Sequence, residues 1–292
     1  ATIWGMAFVS QSKGMDYMHP FTFNGVRSLI GAAGILVYIL ISRKIAGDKA
    51  AKLDWKLNVR AGLLCGIFLT IASTLQQFGI KYTSVGKAGF ITTLYIIFVP
   101  MFGVFLKKKV APVVWAAAGM AAVGMYLLCM TESLRLGAGD IMVFLCAIAF
   151  AIQIMTVDHY AARIDGAVVS CIQFTVCGVV CCIGALIWGQ PTFGQIQEGL
   201  GALLYAGVLS CGVGYTLQIV GQKGLNPTVA ALIMSLESVI ATISGWIAYK
   251  IGFLSTDQTL TPRQIAGCVI VFAAVILVQL PPEWFRFGKK ND

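Results

Sequence analysis

The amino-acid sequence predicts an all-α integral membrane protein whose ten transmembrane helices form a 5+5 inverted repeat. Three observations carry this. Hydrophobic residues make up 58% of the chain and charged residues only 11%, with a mean hydropathy of +0.85; a soluble domain has roughly 45–50% and 25%. The apolar residues are gathered into long runs separated by short polar stretches, and a run of ~20 residues crosses a bilayer core. Finally, Leu75-Gln76, Gly79, Lys81, Ala88 and Gly103 recur at one fixed spacing as Leu217-Gln218, Gly221, Lys223, Ala230 and Gly245. A second register links Gly5 to Ala151 and Arg27 to Gln173. Repeats of this kind build many secondary transporters, with the substrate site where the halves meet near the bilayer midplane.

The runs lie near 1–14, 22–42, 60–80, 85–106, 112–130, 140–158, 167–188, 199–222, 228–250 and 262–281. The first is shorter than a span needs, so about ten further residues are expected upstream of Ala1. A cleaved signal peptide is the competing reading, but the stretch has no charged n-region or cleavage-site pattern. The third run carries Gly62 and Gly66 in GxxxG spacing, the fifth Ala116-Ala117-Ala118-Gly119, and the eighth Gly207, Gly212 and Gly214; small residues let helix backbones approach closely in lipid. Pro100 sits mid-span in the fourth run and frees a backbone carbonyl there. Its repeat partner is Thr242, so the expected kink is one-sided. Residues 1–132 form the first repeat, 138–281 the second and 282–292 a cytoplasmic tail.

Basic residues set the direction. With a cytoplasmic N-terminus, the inner loops and tail hold Arg43, Lys44, Lys49, Lys52, Lys56, Arg60, Lys107, Lys108, Lys109, Arg163, Lys223, Arg286, Lys289 and Lys290, fourteen in all. The outer side keeps six: Lys13, Lys81, Lys87, Arg135, Lys250 and Arg263. That asymmetry is the positive-inside bias of a multi-pass protein of the inner (plasma) membrane with both termini cytoplasmic. Five spans per half, an odd number, make the second copy enter the membrane in the opposite sense.

The same residues exclude other classes. The formal charge of +9 lies between apolar runs and no nucleic-acid-binding motif accompanies it. Cys65, Cys129, Cys146, Cys171, Cys177, Cys181, Cys182, Cys211 and Cys268 all fall inside apolar runs without a CxxC spacing, which makes them small buried hydrophobes rather than a disulfide or zinc framework. His19 and His159 belong to no zinc-protease or Ser-His-Asp pattern and no Walker-type phosphate loop occurs. Neither a catalytic residue, a metal site nor a cofactor is expected.

Two ionisable residues lie within spans, Arg27 and Glu237. A charge at membrane depth costs at least roughly 2.5–3.5 kcal/mol, so it faces the bundle interior, finds a partner or marks a pathway. Glu237 lies roughly 14 Å into its helix, close to the midplane, and is the candidate proton-coupling group; a structural carboxyl is the alternative. Arg27 is placed to clamp a carboxylate or phosphate, the alternative being a snorkelling anchor or helix brace. Around them lie Trp4, Gln11, Asn24, Gln76, Gln77, Thr92, Thr93, Tyr95, Gln153, Gln173, Tyr215, Gln218 and Ser235. The expected substrate-binding set is Trp4, Gln11, Asn24, Arg27, Gln76, Tyr95, Gln173, Tyr215, Gln218 and Glu237, in which Gln76 and Gln218, and Tyr95 and Glu237, are repeat equivalents.

The order of Trp4-Gly5, Pro20 and Arg27, Gly139-Asp140, Leu236-Glu237-Ser238 and a Leu-Thr-Pro-Arg-Gln stretch from Leu260 to Gln264 before Gly267 resembles the EamA-type family of the drug/metabolite transporter superfamily over essentially the whole chain. The resemblance implies a polytopic carrier that exports amino acids or other small metabolites. The chain departs from the family pattern at Lys107 to Lys109 and at Asp257-Gln258-Thr259, where members often carry a glutamate after the fourth and ninth spans, and at Ser238, where a proline commonly follows the glutamate. The expected function is therefore a secondary transporter, an exporter of a small polar metabolite such as an amino acid, working by alternating access. The alternative is a lipid scramblase or membrane-embedded enzyme acting on an amphiphile. Its partners are a small-molecule substrate, membrane lipids and protons, with no nucleic acid; a homodimer is compatible with the sequence.

Overall fold

A computed structural model describes residues 1–47, 53–107, 110–129, 137–254 and 259–279, without the side chains of 125, 128, 129, 278 and 279. Expectations that rest on Lys49, Lys52, Lys108, Lys109, Arg135, Asp257, Gln258 and the tail 282–292, with its Arg286, Lys289 and Lys290, lie outside the described residues, as does the Cys129 side chain.

Among the described residues every regular element is helical. In chain order these are α1 (Thr2–Gly14), α2 (Pro20–Ala46), α3 (Trp55–Ile80), α4 (Val85–Thr93), α5 (Tyr95–Phe105), α6 (Pro112–Cys129), α7 (Ala138–Ala161) and α8 (Gly166–Gly184), the last running into a π-helical turn (Ala185–Gly189). There follow α9 (Phe193–Glu198), α10 (Leu200–Leu204), a π-helical segment (Tyr205–Gly214), α11 (Tyr215–Gly221), α12 (Pro227–Met234), α13 (Leu236–Lys250) and α14 (Pro262–Gln279). Seven runs are long and apolar enough to cross a membrane: Pro20–Ala46, Trp55–Ile80, Val85–Phe105, Ala138–Ala161, Gly166–Gly189, Leu200–Gly221 and Pro227–Lys250. The stretches Pro112–Gly124 and Pro262–Leu277 are apolar but shorter, and α1 has 13 residues.

Five of the helix starts are fixed by a polar cap that satisfies free N–H groups there. Asp54 accepts from Leu57 N at 3.0 Å, Ser84 from Lys87 N at 3.3 Å, Asp165 from Ala167 N at 3.0 Å and Asn226 from Thr228 N at 2.9 Å. His19 Nδ1 accepts from Phe21 N at 3.4 Å ahead of Pro20. Burial, with Lys81 nearby, holds this imidazole below its usual range, which keeps the capping nitrogen free to accept. The caps also explain why α2 and α3 outrun their apolar cores: Arg43 and Lys44 suit the negative end of α2, and Asp54 starts α3 five residues before the apolar run that begins near Arg60.

One expectation is corrected. The interruption of the fourth span is not one-sided, because α4 stops before Leu94 and α12 stops before Ser235, nearly the same repeat position. Proline is not the shared cause. Thr93 Oγ1 donates to Phe90 O at 2.8 Å and Ser235 Oγ to Leu232 O at 2.7 Å; these hydroxyls are repeat equivalents, and each binds back into the preceding turn. Such back-bonding competes with the α ladder, and bonds of three-residue reach appear at both breaks, from Ile97 N to Leu94 O at 2.9 Å and from Ser238 N to Ser235 O at 3.0 Å.

The halves interdigitate: α2 and α3 pack on α7 and α8, α1 on α13, and α6 on α14. The GxxxG pair serves the first contact. A methyl group at Gly62 would meet Ile172 Cβ at 2.6 Å and one at Gly66 Val176 Cβ at 2.9 Å, so these glycines seat α3 directly against α8. Where α3, α4 and α7 end together, Asp140 accepts from Lys87 Nζ at 2.6 Å, Thr83 Oγ1 at 2.8 Å and Gly137 N at 2.9 Å. The eight described cysteines are free thiols.

Candidate functional site

The two broken spans place their equivalent residues face to face. Tyr95 opens α5 and Glu237 is the second residue of α13, and the Tyr95 hydroxyl donates to Glu237 Oε1 at 3.0 Å. Helices interrupted at depth and aimed at one point are how transporters build a midplane site. Here the point of convergence opens into a narrow cavity of about 40 Å³, mostly apolar with a few placed polar groups as small-molecule sites are.

Eight of the ten expected residues line it: Trp4, Gln11, Arg27, Gln76, Tyr95, Tyr215, Gln218 and Glu237. The other two stand behind the wall. Asn24 donates to Ser73 O at 2.9 Å, joining α2 to α3. Gln173 accepts from Gln153 Nε2 at 3.5 Å, and Gln153 in turn accepts from Gln218 Nε2 at 3.3 Å. A glutamine chain thus links α8 to the cavity through α7 and α11. Of the further polar residues, Thr92 and Gln153 line the cavity, Thr92 accepting from Gln76 Nε2 at 3.2 Å, and Gln77 braces α1 by donating to Gln11 O at 3.1 Å.

Arg27 does not snorkel to the membrane surface. It is 5% exposed, lies 5.5 Å over the Phe23 ring, and among the described residues has no hydrogen bond or ion pair, with its Nε buried and unpartnered. The backbone carries it inward because α2 meets the π-helical segment closely: a methyl group at Gly207 would stand 2.9 Å from Arg27 O. Glycine likewise seats α1, since a methyl group at Gly5 would stand 2.8 Å from Glu237 O. Trp4 then sets its ring at a tilt to Tyr215, centroids 4.8 Å apart, and Tyr215 meets Phe174 edge to face at 5.1 Å.

The sequence reading missed Phe8, Phe150, Ser210 and Met234, which also line the cavity. A signal for the first two was present. Trp4, Phe8 and Gln11 share one face of α1, and Phe150, Gln153 and Ile154 one face of α7, by the spacing of an α-helix. Ser210 lies in the π-helical segment, and such segments concentrate at functional sites.

Among the described residues the site offers a guanidinium without a counter-ion, a carboxyl hydrogen-bonded by the Tyr95 phenol, the unpartnered Trp4 Nε1 donor, and the unpartnered acceptors Gln11 Oε1 and Gln218 Oε1. Buried polar groups left unpaired in the folded protein are costly. Here they converge on one space lined with aromatic rings. Among the described residues no group of three His, Cys, Asp or Glu side chains is placed to hold a metal ion.

Known proteins give an independent line. An uncharacterized transporter of Archaeoglobus fulgidus is 27% identical over 286 residues, covering 96% of this chain and 83% of that protein. The uncharacterized transporter YwfM of Bacillus subtilis is 24% identical over 288 residues, covering 97% and 92%. A solved crystal structure superposes with a TM-score of 0.71 over 98% of either chain at 16% identity, a likeness of fold. The model of the EamA-like transporter family matches residues 1–130 and again residues 137–280, and this chain belongs to that family.

Proposed function

We propose that the protein is a secondary transporter that exports a small zwitterionic metabolite of the amino-acid type by alternating access. The observation that carries this reading is the coexistence of the unpaired Arg27 and of Glu237 in one cavity. The cation takes the substrate carboxylate, while Glu237 and the free glutamine carbonyls take its ammonium group. Glu237 is also the group at which a proton and the substrate ammonium compete, which couples efflux to proton entry. The 5+5 inverted repeat, with α1, α6 and α14 completing ten spans, is supported by the family match to each half and by the equivalent helix breaks. In this reading 1–132 and 138–281 are the repeats, and the protein sits in the inner membrane with both termini cytoplasmic.

A scramblase would present its polar residues along a groove open to lipid. Gln11, Arg27, Gln76, Gln218 and Glu237 are instead all at most 8% exposed, which favours the carrier. The test is counterflow in proteoliposomes preloaded with unlabelled amino acids. Uptake of labelled amino acid against its gradient, without transbilayer movement of a fluorescent lipid, is the expected outcome; lipid movement without counterflow sinks the proposal.

A further inference from the structure

We infer that the end of the bundle where α3 begins and α5 and α7 finish is a binding site for an anionic phospholipid, its phosphate on Lys56 and Arg60 and its acyl chains in the groove over α7. The inference rests on the membrane-spanning reading above but not on the transport mechanism. Ile152, Met155, Thr156 and His159 recur at helical spacing and form the floor of an open groove of about 480 Å³. Leu64 of α3 walls one side and Phe102, Phe105 and Leu106 of α5 the other. Phe105 is 78% and Leu106 62% exposed, so this wall faces outward from the bundle.

Leu64 also belongs to the neighbouring depression along α3, which Lys56, Val59, Arg60 and Leu63 line together with Trp55. One continuous surface therefore runs from two cations one helical turn apart to an aromatic and aliphatic groove. The distance from Lys56 to Leu64 is about 12 Å along the helix at 1.5 Å per residue, the depth at which a headgroup gives way to acyl chain. Neither cation is in an ion pair among the described residues, whereas Arg43 nearby stands 4.0 Å from Asp165. Charge complementarity decides the occupant. Paired basic groups, one a planar guanidinium, match a phosphodiester, and basic pockets at helix ends on the cytoplasmic side take anionic headgroups. Trp55, 59% exposed beside them, has the interfacial position that indole favours. A zwitterionic lipid brings a quaternary or primary ammonium to the same two cations, and so is disfavoured.

The experiment is native mass spectrometry of the delipidated full-length protein in micelles holding equal amounts of phosphatidylglycerol and phosphatidylcholine with the same chains. The protein is expected to retain phosphatidylglycerol at least about fivefold over phosphatidylcholine. The double variant Lys56→Gln/Arg60→Gln should bring that ratio to near one, and Phe105→Ser/Leu106→Ser should lower retention of both lipids. Lys81→Gln/Lys250→Gln, which removes as many charges elsewhere, should leave the ratio unchanged. A ratio near one in the unaltered protein, an unchanged ratio in Lys56→Gln/Arg60→Gln, or displacement of the lipid by an excess of soluble glycerol phosphate overturns the proposal. Micelles impose neither leaflet nor gradient, so failure here leaves the counterflow result untouched, and failed counterflow leaves this one untouched.

Discussion

Arg27 and Glu237 line one cavity but are not bonded to each other, and that separation makes their proposed roles testable one at a time. Replacing Arg27 by Gln should weaken binding of carboxylate-bearing ligands by roughly 1.5–3 kcal/mol, the size of a hydrogen bond to a charged group, and spare uncharged analogues in a thermal-shift titration. Equal loss for both kinds of ligand would reduce Arg27 to a folding residue. Glu237→Gln should abolish the pH dependence of transport while substrate exchange stays measurable; a pH profile that survives in the correctly inserted variant assigns the carboxyl to structure. Both residues were legible because charges inside apolar runs are conspicuous, and Gln76, Gln218 and Tyr95 because the repeat ties them to one another. Phe8 and Phe150 were not, since an aromatic residue in an apolar run looks the same whether it faces lipid, a neighbouring helix or a cavity. Asn24 and Gln173 show the converse: polarity marks them as inward-facing, but only packing decides whether their amides meet a cavity or, as here, another helix.

Between elements, glycine sets the distances. Gly5→Ala drives its new methyl group into Ile240 and toward Glu237 O, both on α13, and should destabilise the folded protein by about 1–3 kcal/mol, as overpacking does. Gly201→Ala on the exposed start of α10, with nothing within 4 Å, should be neutral or stabilise by up to about 1 kcal/mol. Unfolding in detergent compares the two, and equal stabilities would remove the close approach of α1 and α13 as a determinant of the fold. The broken spans teach how far sequence reaches at this scale. Pro100 lies inside α5, six residues past the break at Leu94, and both breaks sit instead at the equivalent hydroxyl residues Thr93 and Ser235. The π-helical segment Tyr205–Gly214 had no propensity signal beyond its glycines, one of which, Gly207, packs closely on α2.

At the scale of the whole molecule, the apolar runs located the helices well because composition and length decide what can cross a bilayer, while helix ends followed caps and not hydropathy. The short elements α1, α6 and α14 are the ones length alone does not assign to the membrane. In the proposed ten-span reading the repeat assigns them: α6 closes the first half and α14 the second, and the two pack on each other. If α1 and α6 both cross, the first half has five spans and α7 enters from the side opposite to α1. If α6 does not, the halves share one orientation and the loop carrying Arg43 and Lys44 no longer lies on the same side as the loop after α11. That difference is a measurement. Single cysteines at Lys44, Thr192 and Lys223 in a cysteine-free background, each position exposed, should react with an impermeant maleimide from the cytoplasmic side at 44 and 223 and only from outside at 192. Labelling of 44 and 223 from opposite sides would falsify the inverted repeat. Labelling of both from outside would keep the repeat and reverse the positive-inside orientation.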